Sequence, residues 1–268
     1  MKYLNLGCGY KYSKSEEWLN ADMLPVSEEV IRCNFLNGIP FEKDTFDLVY
    51  HSHILEHFSK QDGEQLIAEC YRILKPGGVI RIALPNLEMI VKEYLKNLER
   101  GLENESGADR DYDWIMLEMY DQTVRNQSGG DMLQYLKEDN IPNADYVFSR
   151  IGKGAKAYHT TSPKRSLSDK FKIIQKKPSI LFSKIQDVFF RMVMPSRKYQ
   201  LYKIGSFRKG GEIHQWMYDR YSLKRLLQKV GFTQVETRKA DTSYIPGWAD
   251  YNLDDVTESA SLFIEAVK

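Results

Sequence analysis

Two glycines one residue apart, Gly7 and Gly9, close a short apolar run, Tyr3-Leu4-Asn5-Leu6, and a polar tail from Lys11 to Ser15 follows. Glycine permits positive φ and lets the backbone approach a ligand closely, so the pattern reads as a buried strand feeding a ligand loop. Asp22 ends a second stretch, Trp18-Leu19-Asn20-Ala21. A carboxylate at a strand's C-terminal edge can accept two hydrogen bonds from a cis-diol such as that of ribose. The usual gap between such a loop and its acid is about 20 residues; here Gly9 and Asp22 lie 13 apart, so a helix between them must be shortened or lost. A second polar group is offered by the stretch Tyr112 to Arg125. As a helix it puts Trp114, Leu117, Tyr120 and Val124 on roughly one face. Tyr120, Asp121 and Arg125 could hold a polar substrate, or Asp121 and Arg125, four apart, could form an ordinary helical ion pair.

The elements that must position these residues follow in order. Lys2–Leu6, Trp18–Asp22, Val30–Asn34 and Phe46–Tyr50 read as strands. Lys60–Leu74 is an amphipathic helix with Leu66, Ile67, Cys70, Ile73 and Leu74 on its apolar side. Lys75-Pro76-Gly77-Gly78 stops it, and Val79–Leu84 is a fifth strand. Strand, helix, strand at this spacing predicts right-handed parallel crossovers. Tyr221–Val230 is a helix ended by Gly231, and Thr233–Arg238 and Ser261–Val267 are the last strands. Residues 87–211 pattern as helix and read as an insertion over the C-terminal edge of the sheet; 1–86 and 212–268 form the α/β domain.

The chain has 268 residues, 42% of them apolar, and a net charge of +1. That charge gives no global field for nucleic acid, and no base-reading motif is present. Cys8, Cys33 and Cys70 are few and odd in number, which fits reduced core residues of a cytoplasmic protein better than a disulfide framework or zinc site. No apolar run nears the ~20 residues that span a bilayer, and Met1-Lys2 leads into a strand without a signal peptide. The charge is unevenly spread. Residues 101–150 hold eleven acids against four bases, and residues 151–211 hold fifteen Lys and Arg against Asp169 and Asp187. The two halves could pair with each other. The basic half also flanks the apolar stretch Ser179–Met194, a combination expected of a helix resting on an anionic membrane.

Taken together, Leu6-Gly7-Cys8-Gly9, Asp22, Ile39-Pro40-Phe41 with Asp44-Thr45-Phe46-Asp47-Leu48-Val49-Tyr50, Leu55-Glu56-His57 and Leu74-Lys75-Pro76-Gly77-Gly78 form an ordered series. The series resembles the class I S-adenosylmethionine-dependent methyltransferases. His214-Gln215-Trp216-Met217-Tyr218 and Leu226 to Phe232 are similar to that family's last helix and sixth strand. Within the family, partly through Trp114 to Arg125, the chain looks most like the predicted methyltransferases found with bacterial surface-polysaccharide genes.

The resemblance implies a Rossmann-like, seven-stranded, mostly parallel sheet with the last strand antiparallel. It implies S-adenosyl-L-methionine as cofactor, with Asn5, Gly7, Cys8 and Gly9 at its methionine part and Asp22 on its ribose. Asn34 and Phe35 would border the adenine, and His51, Ser52 and His53 would line the methyl-transfer site. Asn5 and Asn34 stand where the family often has acids; each keeps a carbonyl acceptor and loses the charge. The expected reaction is methyl transfer to a hydroxyl of a sugar or polysaccharide precursor, with N- or C-methylation, or a silent cofactor-binding module, as alternatives. A hydroxyl needs a base near it; His53 and His214 are the candidates, with His51 beside them and Asp121 as the acidic alternative. His57 reads as packing or capping, His159 as a loop residue, and no metal is expected. The acceptor would be a small molecule or glycan, the location cytoplasmic, with peripheral contact to anionic membrane or a lipid-linked substrate through 151–211.

Overall fold

The protein is described from a computed structural model covering residues 1–152, 178–254 and 261–268. Its frame is a seven-stranded sheet in the order β3-β2-β1-β4-β5-β7-β6. The strands are β1 (Tyr3–Leu6), β2 (Trp18–Asp22), β3 (Val30–Arg32), β4 (Phe46–Ser52), β5 (Leu74–Pro85), β6 (Thr233–Arg238) and β7 (Ser261–Val267). The first five are parallel, and β7 runs antiparallel to both β5 and β6. β1 is buried along its whole length between β2 and β4, as the near-continuous apolar run of a central parallel strand requires.

One face of the sheet packs Leu4, Leu6, Val49, Ile80 and Ile82 against α1 (Lys60–Ile73) and a helix at Arg220–Val230. The buried side of α1 is Leu66, Ile67, Cys70 and Ile73, as its period predicts, and Ser59 caps its N-terminus. The opposite face carries Tyr3, Trp18, Leu48 and Tyr50 against Ile245, Trp248 and Leu253. Residues 7–17 contain no helix, so the shortened crossover between β1 and β2 is coil. Trp18 packs edge-on to Tyr251, centroids 5.3 Å apart, where a crossover helix would otherwise lie. All three cysteines are buried and unpaired.

The Lys75–Gly78 stretch departs from the sequence reading. The helix ends at Ile73, and Leu74 already pairs with Phe46. The Pro-Gly-Gly segment is a bulge within β5, held because Gly77 N–H donates to the Lys268 carbonyl at 3.0 Å and Lys268 N–H to Gly78 at 2.9 Å. Val30–Asn34 is likewise shorter as a strand, because Asn34 leaves the ladder to cap a 3₁₀ turn at Phe35–Asn37.

After β5 come α2 (Leu87–Leu102), α3 (Ala108–Val124), α4 (Gly130–Leu136) and α5 (Ala144–Ile151). They have their own core of Trp114, Tyr135, Leu136, Ile141 and Val147. Further helices, α6 (Pro178–Val193) and α7 (Ser196–Arg208), precede α8 (Arg220–Val230). His159 and residues 153–177 of the basic half lie outside the described residues.

Candidate functional site

The C-terminal ends of β1 and β4 and the start of β7 meet at one edge of the sheet. A cleft of about 300 Å³ opens there, lined by the glycine loop (Asn5, Gly7, Cys8), by Tyr50, Ser52 and His53, and by Leu253 and Ser261. Gly7 and Gly9 both have positive φ, +66° and +51°. A Cβ on Gly7 would run into Ile54, whereas one on Gly9 would meet nothing within 4 Å. The first glycine is therefore demanded by packing and the second leaves open space beside the backbone.

Asp22 fixes that loop from below. Its Oδ2 accepts the Gly9 N–H at 2.9 Å and its Oδ1 accepts the Leu24 N–H at 2.8 Å. Two asparagines take the place of the missing helix. Asn5 Nδ2 donates to the Lys11 carbonyl at 3.1 Å, and Asn20 Nδ2 donates to the Ser13 carbonyl at 2.8 Å. Both side chains are buried, and a buried amide can satisfy coil carbonyls that a charged carboxylate could only repel. This gives Asn5 a structural reason to be an amide.

His53 sits at the rim. Its φ of +53° turns it out of the strand alternation, and its N–H donates to the Ala83 carbonyl at 2.8 Å. The imidazole is bracketed by Glu56 Oε1, 3.2 Å from Nδ1, and by Ser261 Oγ, 3.0 Å from Nε2. Its side chain is 49% exposed, and Glu56 beneath it is buried. Desolvation opposes the charged imidazole, but the hydrogen bond and the charge of Glu56 outweigh it, so the His53 pKa is raised. Glu56 is lowered: burial would push it up, yet the His53 bond and the neighbouring imidazoles hold it ionised.

His214 is placed elsewhere. It is buried behind Glu56, its ring edge-on to His57 with centroids 4.9 Å apart, and its Nε2 lies 3.2 Å from the Gln122 amide. Burial draws its pKa down to about 4. His51 is also fully buried, with its pKa lowered to about 4 by desolvation and neither ring nitrogen hydrogen-bonded. It faces the core because it lies within β4, two residues before the turn that frees His53. Phe35 belongs to the core as well, packed with Leu6 and Ala21, since its 3₁₀ turn directs the ring inward. Asn34 is exposed, its Oδ1 accepting the Leu36 N–H. Burial pushes the Cys8 thiol up to about 12.

Asp121, Tyr120 and Arg125 stand apart from the glycine-loop cleft. Asp121 Oδ1 accepts the Asp131 N–H at 2.7 Å at the start of α4, and Oδ2 lies 3.6 Å from Arg125. Arg125 also reaches Glu212 at 3.2 Å, and Tyr120 is exposed. The acid and the arginine join α3 to α4 and to the chain before β6, and they border a separate surface depression with Gln127 and Gly130.

Three contributors escaped the sequence reading. Tyr50 forms part of the cleft because its hydroxyl donates to Asp254 at 2.7 Å. Ser261 lies 208 residues from the histidine it contacts. Glu56 was legible only as part of the Leu55-Glu56-His57 string, with no sign that it would be buried beneath His53.

Residues 4–82 match the protein-family profile described as a methyltransferase domain. A curated relative, the "Probable S-adenosylmethionine-dependent methyltransferase" of Mycolicibacterium smegmatis, is 36% identical over 56 residues; the match spans 21% of this chain and 21% of that relative's length. Among solved structures, a SAM-dependent methyltransferase from Archaeoglobus fulgidus aligns with 13% identity and a TM-score of 0.39, covering 100% of this chain and 86% of that one. Phosphoethanolamine N-methyltransferase 2 of Haemonchus contortus, in complex with S-adenosyl-L-methionine, aligns with 12% identity and a TM-score of 0.38, covering 100% of this chain and 48% of that one.

Proposed function

With residues 4–82 as a methyltransferase domain that uses S-adenosylmethionine, we propose that this chain methylates a hydroxyl of a sugar or polysaccharide precursor, with His53 as the general base. The observation that carries the reading is the Glu56–His53–Ser261 arrangement at the rim of the glycine-loop cleft. The cofactor supplies a methyl group on a sulfonium, and its transfer breaks the S–C bond, forms an O–C bond and leaves a neutral thioether. Gly7 would give it a close backbone approach, with Asn5 and Ser52 lining the same space and Gly9 open beside the loop. Asp22 has one lone pair on each oxygen beyond those that fix the loop, enough to accept ribose hydroxyls. The acceptor hydroxyl gives its proton to a ring nitrogen of His53, Nε2 once Ser261 turns aside, while Glu56 keeps the ring oriented and stabilises the imidazolium. His214 is buried away from the rim, so His53 is the base of choice.

Calorimetric titration of the full chain with S-adenosylmethionine tests the first half of this reading. Asp22→Ala should weaken binding by about 1.5–3 kcal/mol, the worth of hydrogen bonds to a charged group. Unchanged affinity would remove Asp22 from the site. Incubation of the wild-type chain with labelled cofactor and a panel of saccharides and nucleotide sugars tests the second half. Binding without turnover would favour the silent module, and label on nitrogen or carbon of other small molecules would move the chemistry to N- or C-methylation.

The same reading includes attachment to an anionic membrane or lipid-linked acceptor. Ile185, Val188, Phe189, Met192 and Val193 of α6 are exposed, at the spacing of a single helix face. Among the described residues, no ion pair joins the acidic segment 101–150 to residues 178–211, and Asp187 pairs with Lys203 of α7 at 3.2 Å. The acidic half therefore leaves Arg191, Arg197 and Lys198 unneutralised. Cations beside an anionic leaflet contribute about 1 kcal/mol each, screened beyond a Debye length of ~8 Å. Among the described residues no helix is long and apolar enough to cross a membrane. Co-sedimentation should recover the chain with phosphatidylglycerol vesicles at low salt and release it at high salt. Equal recovery with neutral vesicles, or none at any salt, would refute this attachment.

A further inference from the structure

Beside His53, outside the lining of the glycine-loop cleft, three metal-ligating side chains converge. Glu56, His57 and His214 each present a donor atom, and the three donors lie within 4.8 Å of one another. Two of the residues, Glu56 and His214, are buried. They come from distant parts of the chain and are locked together by backbone: Gln215 N–H donates to the Glu56 carbonyl at 2.7 Å, and His214 N–H donates to the Gln122 carbonyl at 3.0 Å. The turn after β4, the end of α3 and the strand-like approach to α8 thus meet at this point.

Glu56 is missing something that a cation would supply. Glu56 uses Oε1 for His53, but its Oε2 is buried with no hydrogen-bond partner. A buried carboxylate oxygen left unpaired is costly, and an ionised one more so. His57 Nδ1 lies 3.3 Å from the Ile213 carbonyl. That contact makes Nδ1 the protonated nitrogen and leaves Nε2 with its lone pair, the second-shell arrangement typical of metal-bound histidine. His214 Nε2 lies 3.2 Å from the Gln122 amide nitrogen; ligation by His214 requires that amide to turn so that its oxygen accepts a ring N–H. Donors sharing a tetrahedral ion at ~2.1 Å stand roughly 3.4 Å apart, so donors within 4.8 Å of one another must draw closer when the ion binds.

We propose that Glu56, His57 and His214 bind one divalent cation of the transition-metal class, next to the methyl-transfer cleft. The set of two imidazoles and one carboxylate suits zinc, cobalt, manganese or ferrous ions better than magnesium or calcium, which prefer all-oxygen sites. Three protein ligands leave at least one coordination position, as in sites that take a substrate or water. Resting on the reading of His53 as base, the cation would act on the reaction only through Glu56, whose other oxygen holds the His53 ring. The sequence reading expected no metal and took His57 as a packing or capping residue; His214 lies 157 positions away from it.

The test needs neither cofactor nor acceptor. The full chain, stripped with a chelator and dialysed, is titrated with cobalt(II) while visible absorption is recorded. One equivalent should bind with ligand-field bands, and Glu56→Gln and His214→Ala should each weaken binding at least tenfold. Because these two positions are buried, His57→Gln at the half-buried site serves as the third variant, with the same loss expected and the thermal midpoint measured as a fold check. Substoichiometric binding by the wild-type chain, or cobalt affinity unchanged in a folded His57→Gln variant, would overturn the proposal. Titration with S-adenosylmethionine separates the two readings, because a chain that binds cofactor without cobalt loses only the metal site, and one that binds cobalt without cofactor loses only the methyltransferase reading.

Discussion

Replacing His53 by alanine should lower turnover by about 10²–10⁴-fold at saturating S-adenosylmethionine, the usual contribution of a positioned general base. Cofactor affinity should change little, since the loop is fixed by Asp22, Asn5 and Asn20 and not by His53. His53→Gln makes the distinction sharper. It retains polar contacts toward Glu56 and Ser261 but cannot take a proton near neutral pH, so it should be about as slow as alanine. A merely structural histidine would be rescued by glutamine. Glu56→Gln keeps the shape beneath the ring and removes the charge that stabilises the imidazolium, so a smaller loss in turnover is expected there. The His53 proposal fails if both His53 variants turn over at the wild-type rate on an acceptor the wild-type chain methylates.

What the sequence made legible and what it hid divide along physical lines. The glycine loop, the acid at the end of β2 and the turn after β4 are local features, set by φ preferences and strand ends, and they stand where pattern reading puts them. The missing crossover helix was countable from the 13 positions between Gly9 and Asp22. The residues that replace it were not, because Asn5 and Asn20 act on carbonyls of the loop rather than on a motif of their own. His51 and His53 look equivalent in a string, two apart near the end of a strand. The positive φ at His53 separates them, sending one ring to the core and the other to the cleft. Asp121 and Arg125 have the composition of a site, yet their charges are used to join α3 to α4. Ser261 and Tyr50 were invisible since their partners are more than 200 residues distant.

The largest stability effect is expected at a residue that no motif marks, Arg81 in the middle of β5. Its side chain is fully buried together with two acids, Asp254 at 2.7 Å and Glu265 at 2.9 Å. The guanidinium also donates to the Thr242, Lys239 and Ala240 carbonyls at 2.8, 3.0 and 3.1 Å. It stacks over the Trp248 ring, 4.5 Å from the centroid. All five N–H donors are thus engaged, and one side chain ties the loop after β6 to the sheet. Asp254 in turn accepts from the Tyr50 hydroxyl and the Trp248 indole, so the wall of the cleft hangs on the same cluster. Burying such a group of charges is not in itself stabilising, because desolvation offsets most of the attraction. Removing one member is different, since it strands the others. Arg81→Met keeps the apolar stem and leaves Asp254 and Glu265 without their shared partner, at a cost of about 3–5 kcal/mol. Lysine restores the charge but has three donors in place of five and cannot stack as a plane, so Arg81→Lys should recover only part of the loss. Urea unfolding followed by tryptophan fluorescence measures both, with the midpoint shift converted through the slope. An Arg81→Met chain within about 1 kcal/mol of wild type would mean that the loop is held by its aromatic packing against Trp18 and Tyr50, and that the buried ions contribute nothing beyond their own desolvation.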